Sequence, residues 1–172
     1  MTIQNDLLRS LGGLGVRFVT IGVWGVNLYA RDVSFAFVTQ DLDLFLPRDP
    51  ENLLLAWKAC EEVGLELRAG TEPLDEPHDL FVAQAVVQRT ALTRATDGRG
   101  FLVDLTLVMA GFEFDEVWAE RRVFQVHGLD VPVARLTHIA RSKAEAGRPK
   151  DRLFLATHKE MLADLIRRHE GP

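Results

Sequence analysis

The tripeptide Asp41-Leu42-Asp43 carries the first legible chemistry in this sequence. If Leu42, Leu44 and Leu46 take one face of a strand, Asp41 and Asp43 share the other. Two ionised carboxylates so close repel each other unless a cation sits between them. Oxygen ligands of this hardness suit Mg²⁺ or Mn²⁺. The alternative is a half-exposed strand with a solvated acidic face. Asp104 is the second candidate. It interrupts the run from Phe101 to Val108, which is otherwise apolar except for Thr106. Burying a lone carboxylate is costly unless it is hydrogen-bonded, paired or metal-bound. With its strand beside that of Asp41 and Asp43, three carboxylates would converge, as two-metal phosphoryl chemistry requires. An Asp104 capped by backbone amides is the competing expectation.

Cations come later in the chain. Leu136, Ile139 and Ala140 form an apolar helical stripe that Lys143 continues, so Lys143 is expected to point inward. An inward lysine needs a partner. One reading bridges it to Asp151 on the last helix. The other has Lys143, with Arg148 or Lys150, contacting a polyphosphate. The turn Ile21-Gly22-Val23-Trp24-Gly25 runs from strand to helix and would offer backbone amides at a positive helix end, a further phosphate contact. Gly12-Gly13-Leu14-Gly15 precedes its strand and is no dinucleotide fingerprint, and no Walker A loop or nucleophile elbow occurs. His78-Asp79 lacks the further histidine spacing of a metal phosphohydrolase.

These residues need a scaffold, and the pattern predicts one. A first helix around Leu7, Leu8 and Leu11 should stop at Gly12-Gly13. Strands are expected over Val16–Ile21 and Thr39–Leu46, with a short helix over Val23–Ala30 between them. Asp49-Pro50-Glu51 supplies a cap, an N1 proline and an acidic first turn for a helix reaching about Val63. Glu72–Asp79 reads as an acidic loop, and Leu80–Gln88 is ambiguous between helix and strand. Two hairpins should follow, Thr90–Ala95 with Gly100–Val108 and Val123–His127 with Leu129–Val133, separated by a helix near Glu113–Arg121. Leu136–Ala146 and Pro149 to about Arg168 close the chain as two helices. The expectation is an α/β (α+β) mixed sheet flanked by helices, with a C-terminal helical pair.

The chain has 172 residues, 47% hydrophobic and 26% charged, which suits one domain with a core that needs no disulfide. That domain divides into a sheet core over residues 1–134 and a helical tail over 135–172. The core carries 11 Lys+Arg against 20 Asp+Glu, a net −9, whereas the tail carries 9 against 5, a net +4. An acidic body with a basic tail is a weak pointer to a phosphate-bearing partner meeting a metal-binding body, and a solvated helical face explains the same charges. A single cysteine, Cys60, excludes a disulfide framework and a cysteine-based zinc site. No apolar run reaches the roughly 18 residues of a membrane span, and the first residues lack a signal-peptide pattern, so a cytoplasmic protein is expected.

In order, these features resemble the polymerase-beta-like nucleotidyltransferase superfamily, and within it the small bacterial members that include toxins of toxin–antitoxin and abortive-infection systems. The family pattern is a strand, a Gly-Gly or Gly-Ser turn into a helix, an Asp-x-Asp strand and a later carboxylate on a neighbouring strand. Here Gly22-Val23, Asp41-Leu42-Asp43 and Asp104 match it. The stretch from Lys143 through Gly147-Arg148-Pro149-Lys150-Asp151 is similar to one common in that subgroup, and the likeness spans residues 11 to 162. Val23 stands where the family has Ser or Gly, and Phe37 where the subgroup often has Arg. The resemblance implies transfer of a nucleoside monophosphate from a Mg²⁺-bound NTP, such as ATP, to a hydroxyl on tRNA, protein or a small molecule. Asp41, Asp43 and Asp104 would hold the metal, with Asp104 also helping to deprotonate the acceptor. Gly22, Val23, Lys143, Arg148, Lys150 and Asp151 would form the nucleotide site. An antitoxin partner follows from the toxin members. The alternative is a nucleotide- or partner-binding module that keeps the fold without turnover.

Overall fold

The computed structural model describes residues 2–31, 39 and 41–171. Phe37 lies outside the described residues. Among them the chain forms an α+β fold, with helices α1 (Ile3–Gly13), α2 (Gly22–Ala30), α3 (Pro50–Glu62), α4 (Leu80–Arg89), α5 (Phe114–Ala119), α6 (Leu136–Ala146), α7 (Pro149–Thr157) and α8 (Lys159–Glu170). The strands are β1 (Val19–Ile21), β2 (Asp41–Phe45), β3 (Glu66–Ala69), β4 (Glu72–Pro73), β5 (Thr93–Thr96), β6 (Leu102–Thr106), β7 (Arg122–Val126) and β8 (Leu129–Val133). They join one mixed sheet in the order β4-β3-β5-β6-β2-β1-β8-β7. The pairs β2/β6 and β1/β8 are parallel and the rest antiparallel.

Alternation along the central strands sorts their side chains. Leu42 and Leu44 on β2 and Val103 and Leu105 on β6 are buried on one face. Trp57 of α3 covers that face, its indole N–H donating to Thr93 Oγ1 at 3.0 Å. Asp49 caps α3 by accepting from the Glu51 amide, with Pro50 at the first position. Cys60, fully buried on the same helix, is core. The opposite face carries Asp41, Asp43, Arg94 and Asp104, and α6 and α7 close over it. The tail is continuous with the core, because Leu136, Ile139, Leu162 and Leu165 are all buried.

Three expectations need correction, and one ambiguity resolves. The strand drawn from Val16 shrinks to Val19–Ile21, because the Arg17 backbone bonds to the Asn52 side chain (2.8 and 2.9 Å) instead of a strand. The supposed loop at Glu72 begins as β4, paired with the unforeseen β3. Leu80–Arg89 resolves as helix, capped by Asp79 accepting from the Val82 amide. The C-terminal pair is a trio. His158 leaves helical geometry (φ −113°, ψ 19°) and separates α7 from α8. A single helix over residues 149–170 would run about 33 Å. The break lets α7 pack on α6 while α8 reaches both α6 and α2.

Candidate active site

The parallel β2/β6 pairing sets Asp43 directly beside Asp104, with Asp41 two residues earlier on the same face. All three line one cleft of about 710 Å³. Burial raises the Asp43 carboxyl most, repulsion from Asp104 and Asp41 adds to it, and its pKa is pushed up to about 6. Lys143 and Lys150 pull it the other way. Antiparallel pairing of β1 with β2 puts Ile21 beside Asp43, so the next residue, Gly22, meets the Asp43 side chain. Gly22 has φ +72°, and a Cβ there would stand 2.2 Å from Asp43 Oδ2. Backbone conformation favours glycine at this position, and a Cβ there would also force the Asp43 carboxylate to shift. It opens α2 with no side-chain cap, which leaves first-turn amides at the cleft wall where Val23 also lies.

Sequence reasoning missed Arg94. The β5/β6 hairpin pairs Arg94 with Asp104, and the guanidinium grips the carboxylate at both ends, Nε to Oδ1 at 2.6 Å and Nη2 to Oδ2 at 3.1 Å. Asp104 is therefore neither isolated nor capped by backbone amides, and its side chain keeps one fifth of its exposure. The signal was present. Closing the hairpin over Asp97-Gly98-Arg99-Gly100 and counting outward pairs Thr96 with Leu102 and Arg94 with Asp104. Among the described residues no group of three or more His, Cys, Asp and Glu side chains stands close enough together to hold a metal ion. The donor set still fits Mg²⁺ or Mn²⁺. Mg²⁺ normally takes one or two carboxylates, several waters and substrate phosphates, with no all-protein cage. Asp41 and Asp43 supply such a pair.

On the facing wall, Gly147 (φ 62°) ends α6 in the left-handed conformation and Pro149 starts α7. This tight junction brings Lys143 and Asp151 together. Asp151 is only 1% exposed and holds two cations. Lys143 Nζ stands 3.6 Å from Oδ1, and Arg148 bonds through Nε (2.6 Å) and Nη2 (3.3 Å). Burial works against the Asp151 charge, but the Arg148 hydrogen bonds and the charges of Arg148, Lys143 and Lys150 prevail, and its pKa falls below the usual range. Burial lowers the Lys143 pKa, with Asp151 and Asp43 opposing. Lys143 also sits over the Phe154 ring, 4.8 Å from its centroid. So the Lys143–Asp151 bridge exists, and the same lysine lines the cleft with Arg148 and Lys150. Asp151 acts here by positioning cations. A smaller cavity of about 330 Å³ shares Thr39 and Asp41 with the cleft and adds Trp24, Arg99 and Phe101.

No family model matches the chain, and a search of curated proteins finds no relative.

Proposed function

We propose that this chain is a metal-dependent nucleotidyltransferase that moves a nucleoside monophosphate from an NTP to an acceptor hydroxyl. One observation carries the reading. Asp41, Asp43 and Asp104 lie on one face of adjacent parallel strands, at the floor of a cleft whose other wall bears Lys143, Arg148 and Lys150. A polyanion entering that cleft needs cations on both sides, the fixed ones on α6 and α7 and a divalent one at the carboxylates. The cleft volume of about 710 Å³ falls within the usual range for small-molecule sites.

Bound Mg²⁺ or Mn²⁺ would neutralise phosphate charge as it develops. Lys143 and Arg148, pre-oriented by Asp151, hold the triphosphate and cost little reorganisation during the reaction. The first-turn amides of α2, exposed because Gly22 has no side chain, offer further donors. The acceptor oxygen then forms a bond to the α-phosphorus, the α–β bridging bond breaks, and pyrophosphate leaves. Asp104 accepts the hydroxyl proton. Most of the acceleration comes from alignment and charge neutralisation.

A second reading, nucleotide binding without turnover, draws on Val23, which offers no hydroxyl to a phosphate, and on the existing neutralisation of Asp104 by Arg94. Incubation with each α-labelled NTP, Mg²⁺ and a cell lysate separates the two. The expected result is a labelled acceptor that disappears with Asp43→Asn. Bound nucleotide with no transfer from any NTP would overturn the enzyme reading in favour of the second.

A further inference from the structure

Arg94 takes one lone pair on each Asp104 oxygen, at 2.6 and 3.1 Å, and neutralises the carboxylate. While it holds, Asp104 is a weaker ligand for a divalent ion and a weaker base for an acceptor hydroxyl. This pair is not a sealed structural bridge. The Arg94 side chain is 36% exposed and that of Asp104 20%, and both line the open cleft. Arg94 also feels Asp41 and Asp43, so a cation arriving among the three carboxylates weakens its hold while repelling it. Guanidinium forks bind phosphate as readily as carboxylate. Lys143 and Arg148 occupy the α6/α7 wall, whereas Arg94 rises from β5 on the sheet side.

We propose that Arg94 is an exchange cation: it neutralises Asp104 in the empty cleft, yields that carboxylate to an incoming divalent ion, and then binds a phosphate of the substrate. This rests on the nucleotidyltransferase reading and adds a residue and an order of events to it. The exchange keeps the floor from ever carrying three uncompensated carboxylates. It also ties the release of Asp104 to metal arrival.

Two properties should move in opposite directions on one substitution, and Arg94→Lys, which keeps the charge, separates loss of the fork from loss of the charge alone. Mn²⁺ alone is titrated calorimetrically into the wild type, Arg94→Gln, Arg94→Lys and the double variant Arg94→Gln, Asp104→Asn. Then a non-hydrolysable α,β-methylene NTP is titrated at saturating Mn²⁺. Arg94→Gln is expected to tighten Mn²⁺ at least fivefold and to weaken the NTP analogue about tenfold. Arg94→Lys, which keeps the charge without the fork, should fall between, and the Asp104→Asn double variant should lose the gain in Mn²⁺ affinity. Unchanged or weaker Mn²⁺ binding in both Arg94 variants overturns the exchange, and an unchanged NTP affinity overturns its phosphate half. Asp43→Asn is the control for the underlying reading. If it leaves Mn²⁺ affinity at the wild-type value, the metal site itself fails, whatever the Arg94 variants do.

Discussion

Asp43 concentrates the tension of the site in one side chain. It is pressed against Gly22, flanked by Asp41 and Asp104, and only partly compensated by Lys143 and Lys150. Its carboxyl titrates near 6 in the fold against an ordinary 3.8. Between those values the folded state binds more protons than the unfolded chain, so this group lowers stability as pH rises from about 4 to 6. Below that window both states are protonated and the penalty vanishes. In metal-free buffer, Asp43→Asn should therefore melt higher than wild type at pH 7.5, with the gap closing by pH 4. Melting curves across that range check it, and a gap that widens toward pH 4 contradicts the repulsion described here. Asp41-Leu42-Asp43 and Asp104 were readable from the sequence because period-2 alternation assigns faces without any tertiary knowledge. Arg94 required the strand register, which a composition-level reading of the hairpin does not provide. The close approach of Gly22 to Asp43 is tertiary and left no trace in the local pattern.

At the scale of elements, the α6/α7 junction converts a sequence motif into a charge cluster. Gly147 and Pro149 are local signals for one helix ending and another beginning, and the helical stripe already pointed Lys143 inward. Its partner Asp151 was equally legible. The grip of Arg148 on the same carboxylate was not, and it changes the expected energetics. With one cation gone, Asp151 keeps the other. Lys143→Met should therefore cost less than about 2 kcal/mol, in the range of one hydrogen bond to a charged group. Removing Arg148 as well strands a carboxylate that is only 1% exposed and should cost about 3–5 kcal/mol. Adding Asp151→Leu to that double variant should recover most of the loss, since the orphaned charge goes too. Denaturant midpoints for the three proteins decide the matter, and a full loss from Lys143→Met alone would mean that Arg148 carries no weight in the bridge. The same logic explains what failed elsewhere. Residues 149–168 read as one helix because nothing in local propensity marks His158, where α7 and α8 part to reach different partners.

Across the whole molecule, acidic residues of the body and Lys143, Arg148 and Lys150 of the tail line one cleft, where charge counting alone favoured a solvated helical face. The short strands β3 and β4 escaped detection because each offers too few residues for alternation to register. Strand order, which depends on long-range pairing, was legible only for the hairpins and not for the parallel neighbours β2/β6. That pairing is the feature on which the site depends. It also predicts a global consequence of binding. A metal–nucleotide complex would tie β2 and β6 to α6 and α7 across the cleft. A ligand that binds only the native state, at about 100 times its dissociation constant, adds about 2.7 kcal/mol. For a domain of this size that corresponds to a rise of roughly 5–11 °C in Tm. Mg²⁺ with a non-hydrolysable NTP should produce a shift of that order in the wild type, little in Asp43→Asn, and an intermediate one in Lys143→Met. Hydrogen exchange should slow in β2, β6, α6 and α7 together upon binding. Protection confined to the sheet, with the tail unchanged, would show that the basic wall takes no part in holding the nucleotide.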